Sequence, residues 1–192
     1  GTLVVLASDD AVFERHVPQF TGNRCWIARL GGGTRAASVA NGLAELANHG
    51  ARSNDWVLVH DAARCLVRAE WVDRLIDACI GDAVGGLLAL PIADTLKQER
   101  QGRVAATLER AGKWAAQTPQ MFRLGVLRDA LAQAGDRVTD ESSAVEFTGA
   151  APRLVRGEAR NFKVTWPEDF LVAERLLAPA PQPAAPLRQE RS

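Results

Sequence analysis

Trp56-Val57-Leu58-Val59 is an apolar run of strand length that stops abruptly in His60-Asp61-Ala62-Ala63-Arg64. Four residues of strand-forming character bounded by charge read as a β-strand buried in a sheet. In open α/β sheets, ligands bind beyond the carboxyl ends of the strands, and His60 to Arg64 would lie there. Asp61 suits a metal or a polar group of a substrate, and Arg64 suits a phosphate through its planar fork of donors. A solvated ion pair at a strand end is the plainer alternative, and this pentapeptide alone does not choose between them.

The rest of the chain alternates in the same way. Strands are expected at Gly1–Ala7, Arg24–Leu30, Val84–Pro91, Arg153–Val155 and Asn161–Thr165. Helices are expected within 9–20, then at Ala36–Asn48, Glu70–Ile80, Leu124–Ala134, Thr139–Phe147 and from Pro167 to about Leu177. Thr139 is the expected N-cap of its helix, with Asp140 and Glu141 suited to the positive end. Gln117-Thr118-Pro119-Gln120 reads as a loop, because proline biases the residue before it away from helix. This alternation predicts an α/β fold with a doubly wound, mostly parallel sheet covered on both faces. Asp94–Lys97 and Arg103–Leu108 read as the arms of an extended β-excursion around a polar turn. Pro179 onward is too rich in proline and alanine to build a core and is expected to be a mobile tail.

Composition removes several classes of function. Lys plus Arg and Asp plus Glu are equal at 23 each, so the general electrostatic case for binding nucleic acid or a membrane surface is missing. Nothing N-terminal resembles a signal peptide, and no apolar run reaches membrane-spanning length. Cys25, Cys65 and Cys79 have no CxxC spacing, which argues against a disulfide framework or a zinc knuckle and fits a reducing, cytoplasmic setting.

Gly31-Gly32-Gly33-Thr34-Arg35 precedes the 36–48 helix. Glycines before a helix let backbone N–H groups approach an anion at its positive end. The segment is neither Gly-x-Gly-x-x-Gly nor a Gly-Lys-Ser/Thr loop, and by itself a triple glycine reads more simply as a flexible turn.

Taken together, six ordered motifs resemble the 2-C-methyl-D-erythritol 4-phosphate cytidylyltransferase family. They are Gly-Gly-x-x-Arg-x-x-Ser-Val from Gly31 to Val39, Val-His-Asp-Ala-Ala-Arg at 59–64 and Pro-x-x-Asp-Thr-x-Lys at 91–97. Thr-Pro-Gln-x-Phe at 118–122, Thr-Asp-Glu-x-Ser-Ala at 139–144 and Asn-x-Lys-Val-Thr-x-Pro-Glu-Asp at 161–169 complete them. The resemblance implies a Rossmann-like nucleotidyltransferase sheet. The implied reaction moves a cytidylyl group from CTP to the phosphate of methylerythritol phosphate, with Mg²⁺, releasing pyrophosphate. Residues 1–177 would form the cytidylyltransferase domain, with 94–110 as a dimerisation arm and 178–192 as the tail. The family pattern opens with a strand, an Ala-Ala-Gly-rich loop and a Pro-Lys-Gln segment that the sequence does not contain, so the chain alone is expected to be inactive. Cys65 also stands where the family usually has proline.

What the resemblance implies for individual residues follows motif by motif. Lys163 is similar to the family lysine that positions the substrate phosphate. Arg110 is similar to the arginine that orients substrate across a homodimer interface by arm exchange. Asp61, Arg64, Thr95 and Thr118 fall at substrate-contacting positions, Asp61 also being the candidate Mg²⁺ ligand. Gly32, Gly33, Arg35, Ser38 and Ala62 fall at positions that read the nucleotide. Each has a plainer alternative: a solvated lysine, turn threonines, a capping aspartate, or a serine satisfying its own helix turn. Two rival functions remain at this level, a related cytidylyltransferase acting on ribitol 5-phosphate and a non-catalytic nucleotide-binding module.

Overall fold

A computed structural model describes residues 1–178; the predicted tail from Pro179 onward lies outside the described residues. Among the described residues, eight strands and six α-helices follow one another in mostly alternating order. Strands β1 (Thr2–Val5) and β2 (Cys25–Ala28) flank the short helix α1 (Phe13–His16) and pair in parallel. Helix α2 (Arg35–Asn48), β3 (Trp56–Val59), α3 (Ala69–Cys79) and β4 (Gly85–Pro91) follow. Next come β5 (Leu96–Arg100), β6 (Arg103–Leu108) and β7 (Trp114–Arg123), then α4 (Leu124–Ala134), α5 (Glu141–Phe147), β8 (Arg153–Arg156) and α6 (Pro167–Leu177).

The main sheet has the order β3-β7-β4-β8. β3, β4 and β8 run in one direction, and β7 runs against β3 and β4 between them. Side chains of a strand alternate between faces, and β7 shows the result. Phe122 packs with Leu43 of α2, Leu127 of α4 and Val145 of α5 on one face. Its neighbour Met121 packs with Trp71 and Leu75 of α3, Leu88 of β4 and Val155 of β8 on the other. Helices therefore cover both faces, which is the doubly wound arrangement expected from the alternation. Close contact within this sheet dictates two glycines: Gly85 has φ +108°, and a Cβ there would lie 2.2 Å from the Met121 carbonyl oxygen, while one on Gly86 would lie 2.3 Å from the Arg153 carbonyl oxygen.

Four expectations change. Gln117–Gln120 is not a loop but the middle of β7, with a cis Thr118–Pro119 bond. The proline is accommodated because the ladder with β4 jumps from Gln120 to Ala116, leaving Pro119 outside the pairing. Asn161–Thr165 is not a strand; it is an irregular segment fixed by a bond from the Val164 N–H to the Ala63 carbonyl at 2.8 Å. The N-cap of α5 is Asp140 rather than Thr139, because Ser143 three residues on completes a reciprocal capping box with it. The runs at Gly1–Ala7 and Trp56–Val59 are less buried than their apolar character suggested. Among the described residues β1 pairs only with β2 and β3 only with β7, and Leu58 is 37% exposed.

β5 and β6 pair only with each other among the described residues, forming a hairpin from Leu96 opposite Leu108 to Arg100 opposite Arg103. Val104 on it is 64% exposed. No helix among the described residues is long and apolar enough to cross a membrane. Cys25, Cys65 and Cys79 are all free thiols.

Candidate active site

The site forms where β3 ends. Antiparallel pairing sets Val59 opposite Gln120, so the chain leaves β3 beside Thr118. The Asp61 N–H donates to Thr118 Oγ1 at 3.0 Å, and Thr118 Oγ1 lies 3.0 Å from His60 Nδ1. His60 Nε2 sits 3.1 Å from the Arg64 carbonyl, so it must carry the proton, leaving Nδ1 to accept from the threonine hydroxyl. Partial loss of water lowers the His60 pKa, consistent with this neutral ring. The turn carrying Asp61 and Arg64 is thereby tied to the middle of β7.

Arg64 is held at both ends of its guanidinium. Nη1 donates to the Asn161 carbonyl at 2.6 Å and Nη2 to the Ala116 carbonyl at 3.2 Å, while its buried Nε has no partner among the described residues. Asn161 is fully buried and donates from Nδ2 to the Thr118 carbonyl at 2.8 Å. That bond and the Val164–Ala63 bond carry Lys163 to Asp61, where Nζ lies 3.0 Å from Oδ2.

Asp61 is flanked by two cations. Arg35, the first residue of α2, donates from Nε to Asp61 Oδ1 at 2.8 Å. Burial raises the Asp61 pKa, but Arg35 and Lys163 outweigh it and hold the carboxyl below the usual carboxylate range. Arg35 also meets Glu141, the first residue of α5, with Nη1 donating to Oε1 at 2.6 Å and Nη2 to Oε2 at 3.0 Å. Burial pushes the Glu141 carboxyl up, and Arg35 pulls it back without cancelling that rise.

These groups surround a solvent-open cleft of about 200 Å³, lined among others by Arg35, Asp61, Arg64, Thr118, Gln120 and Lys163. Its lining carries three cationic side chains, Arg35, Arg64 and Lys163, beside the carboxylates of Asp61 and Asp140, a composition suited to phosphate groups and polyol hydroxyls.

The structure thus brings Asp61, Arg64, Thr118, Lys163 and Arg35 together. Gly32 and Ser38 sit at the start of α2: the Gly32 N–H donates to Ser38 Oγ at 2.9 Å, and Ser38 Oγ donates to the Thr34 carbonyl at 3.0 Å. A Cβ on Gly32 would lie 2.6 Å from that of Ala37, so the close turn needs glycine, whereas Gly33 faces open space. Ala62 is exposed in the turn after β3. Thr95 and Arg110 are exposed at the two roots of the β5–β6 arm and do not line this cleft. Sequence alone assigns no role in the site to Glu141, Gln120 or Asn161. Glu141 looked like an ordinary first-turn acid, and its burial depends on packing that no local pattern reports.

A solved structure described as 4-diphosphocytidyl-2C-methyl-D-erythritol synthase matches with a TM-score of 0.85 and 44% identity, over 92% of this chain and 82% of its own. That agreement places the chain among nucleotidyltransferases with a doubly wound α/β sheet. Residues 2–179 match the family described as IspD, 2-C-methyl-D-erythritol 4-phosphate cytidylyltransferase, and the chain belongs to that family. Among its relatives, the bifunctional enzyme IspD/IspF of Albidiferax ferrireducens is 64% identical over 92% of this chain, which spans 42% of that longer protein. The 2-C-methyl-D-erythritol 4-phosphate cytidylyltransferase of Paraburkholderia phytofirmans is 53% identical over 96% of this chain and 78% of its own length.

Proposed function

We propose that the protein transfers a cytidylyl group from CTP to the phosphate of 2-C-methyl-D-erythritol 4-phosphate. A phosphate oxygen of the acceptor attacks the α-phosphorus of CTP, a new P–O–P linkage forms, the α–β anhydride bond breaks, and pyrophosphate leaves. The protein's task in such a transfer is placement and charge neutralisation. One observation carries this reading: Lys163 and Asp61 stand 3.0 Å apart at the cleft, with Arg64 beside them. Lys163 takes the acceptor phosphate, Asp61 accepts from a substrate hydroxyl, and Arg64 and Thr118 complete the acceptor side. Gly32, Gly33, Ser38 and Ala62 lie towards the nucleotide.

Mg²⁺ belongs to this reading. No group of three or more His, Cys, Asp or Glu able to hold a metal occurs among the described residues. The donor set nonetheless fits Mg²⁺, which keeps several waters and binds through one or two carboxylates plus substrate phosphates. Asp61 would be the protein ligand, and the bound ion would offset triphosphate charge.

The protein is further proposed to work in the cytoplasm as a homodimer in which the β5–β6 arm of one subunit brings Arg110 and Thr95 to the other's cleft. The arm's lack of a further partner strand among the described residues and its exposed Val104 and Leu108 support that reading. Two-stranded hairpins are marginal alone in water.

The test is pyrophosphate release by the full-length protein with CTP and a panel of polyol phosphates. Turnover is expected with methylerythritol phosphate, and preference for ribitol 5-phosphate would overturn the acceptor assignment.

A further inference from the structure

The Glu141 side chain is 1% exposed, and a carboxylate so buried needs a charged, hydrogen-bonded partner. Arg35 is that partner through two parallel bonds of 2.6 and 3.0 Å. The adjacent edge of the same guanidinium faces Asp61, with Nε and Nη2 each 2.8 Å from Oδ1. Arg35 is thus a bracket between two carboxylates, with most of its donors spent on them. Lys163 closes the series on the other oxygen of Asp61.

Glu141 is itself anchored. Gln120 of β7, 1% exposed, donates from Nε2 to Asp140 Oδ2 at 2.8 Å, and its Oε1 accepts from the Ser142 N–H at 2.7 Å. These bonds grip the residues on either side of Glu141, so the first turn of α5 is fixed to the central strand. Rigidity passes from β7 to Glu141, then through Arg35 to Asp61.

We infer that Glu141 is a positioning residue: through Arg35 it fixes Asp61, and with it Lys163, in the geometry that receives the acceptor. The inference rests on the reaction proposed above. Glu141 does not line the cleft that Asp61 and Lys163 share, so its effect is exerted through the bracket. Arg35 correspondingly acts on the carboxylates rather than as a direct grip on the nucleotide.

Glu141→Gln keeps the shape but turns an amide N–H₂ towards a guanidinium N–H, removing one prong of the bracket. In the full-length protein kcat is expected to fall on the order of tenfold to a hundredfold, since small misplacements near the chemistry are costly. The KM for CTP is expected to move less than about threefold, because the bracket orients the acceptor side. In an Asp61→Asn background the same substitution should add less than about twofold, because its route of action is already gone. An equal loss in both backgrounds, or wild-type kcat in the folded single variant, would overturn the inference.

If Glu141→Gln does not fold, Arg35→Lys gives the second reading. A lysine cannot span both carboxylates, so the same kcat deficit is expected, and unchanged kcat would overturn the bracket. A crystal structure of a folded variant reads the coupling without turnover. The Asp61–Lys163 contact is expected to be lost, and its retention with Arg35 displaced would refute the inference. Absence of pyrophosphate release by the wild type would instead count against the proposed reaction, leaving the crystallographic result to judge the bracket.

Discussion

Lys163 Nζ lies 3.0 Å from Asp61 Oδ2, joining an irregular segment before α6 to the tip of β3. The pair exists because the Asn161 side chain and the Val164 N–H fasten that segment to β7 and to Ala63. Lys163→Ala is therefore expected to lower kcat/KM for the acceptor about a hundredfold or more, the scale seen when one charge-stabilising donor is removed. Stability should change by less than about 1 kcal/mol, since the lysine is half-exposed and Asp61 keeps Arg35. Steady-state kinetics with a thermal melt check both, and a large loss of stability with normal turnover would reverse the assignment.

Acid stability should depend on Asp61. Its pKa is lower folded than unfolded, so its contribution is fully present above the unfolded value near 3.8. That contribution is lost as pH falls through the lower folded value. Urea unfolding at pH 6 and at pH 3 should show a smaller acid-induced loss in Asp61→Asn than in the wild type. Equal losses would mean that Asp61 gains nothing from Arg35 and Lys163.

Leu88 and Leu154 lie on neighbouring strands with opposite exposures, 0% and 48%. Leu88→Ala opens a cavity under α3 and should cost about 2–5 kcal/mol in chemical denaturation. Leu154→Ala should cost less than about 1 kcal/mol. Similar values for the two would contradict the described packing.

Arm exchange makes a prediction about mixing. Arg110→Ala and Lys163→Ala, each inactive in full-length protein, would place both defects in one site of a mixed dimer, leaving the other site intact. After subunit exchange, an equal mixture should recover about a quarter of wild-type activity, because half the dimers are mixed and each carries one intact site of two. No recovery despite proven exchange, or a monomer by ultracentrifugation, would rule the arrangement out.

Much of this architecture is legible in local pattern. The apolar run Gly85–Pro91 and the helical spacing from Leu124 to Ala134 specify β4 and α4 because burial and period are visible along a few residues. Thr118–Pro119 reads as a loop from sequence because proline biases the residue before it away from helix; a strand meets that bias equally well, and the break in the β4–β7 ladder makes room for the ring. Lys163 and Asp61 were legible as members of family motifs, but their contact was not. Glu141 was hidden most deeply, since its partner Arg35 begins another helix and only tertiary packing joins them. For Ser38 the hydroxyl is engaged within its own turn, the plainer alternative read from sequence, and its part in reading the nucleotide stays a proposal.

Pyrophosphate release by the full-length protein, with CTP and 2-C-methyl-D-erythritol 4-phosphate in the presence of Mg²⁺, tests the central claim most directly. Release is expected to depend on both substrates, to fall strongly when UTP or ATP replaces CTP, and to collapse in Lys163→Ala. Release that proceeds equally with UTP, or that is indifferent to Lys163, would contradict it.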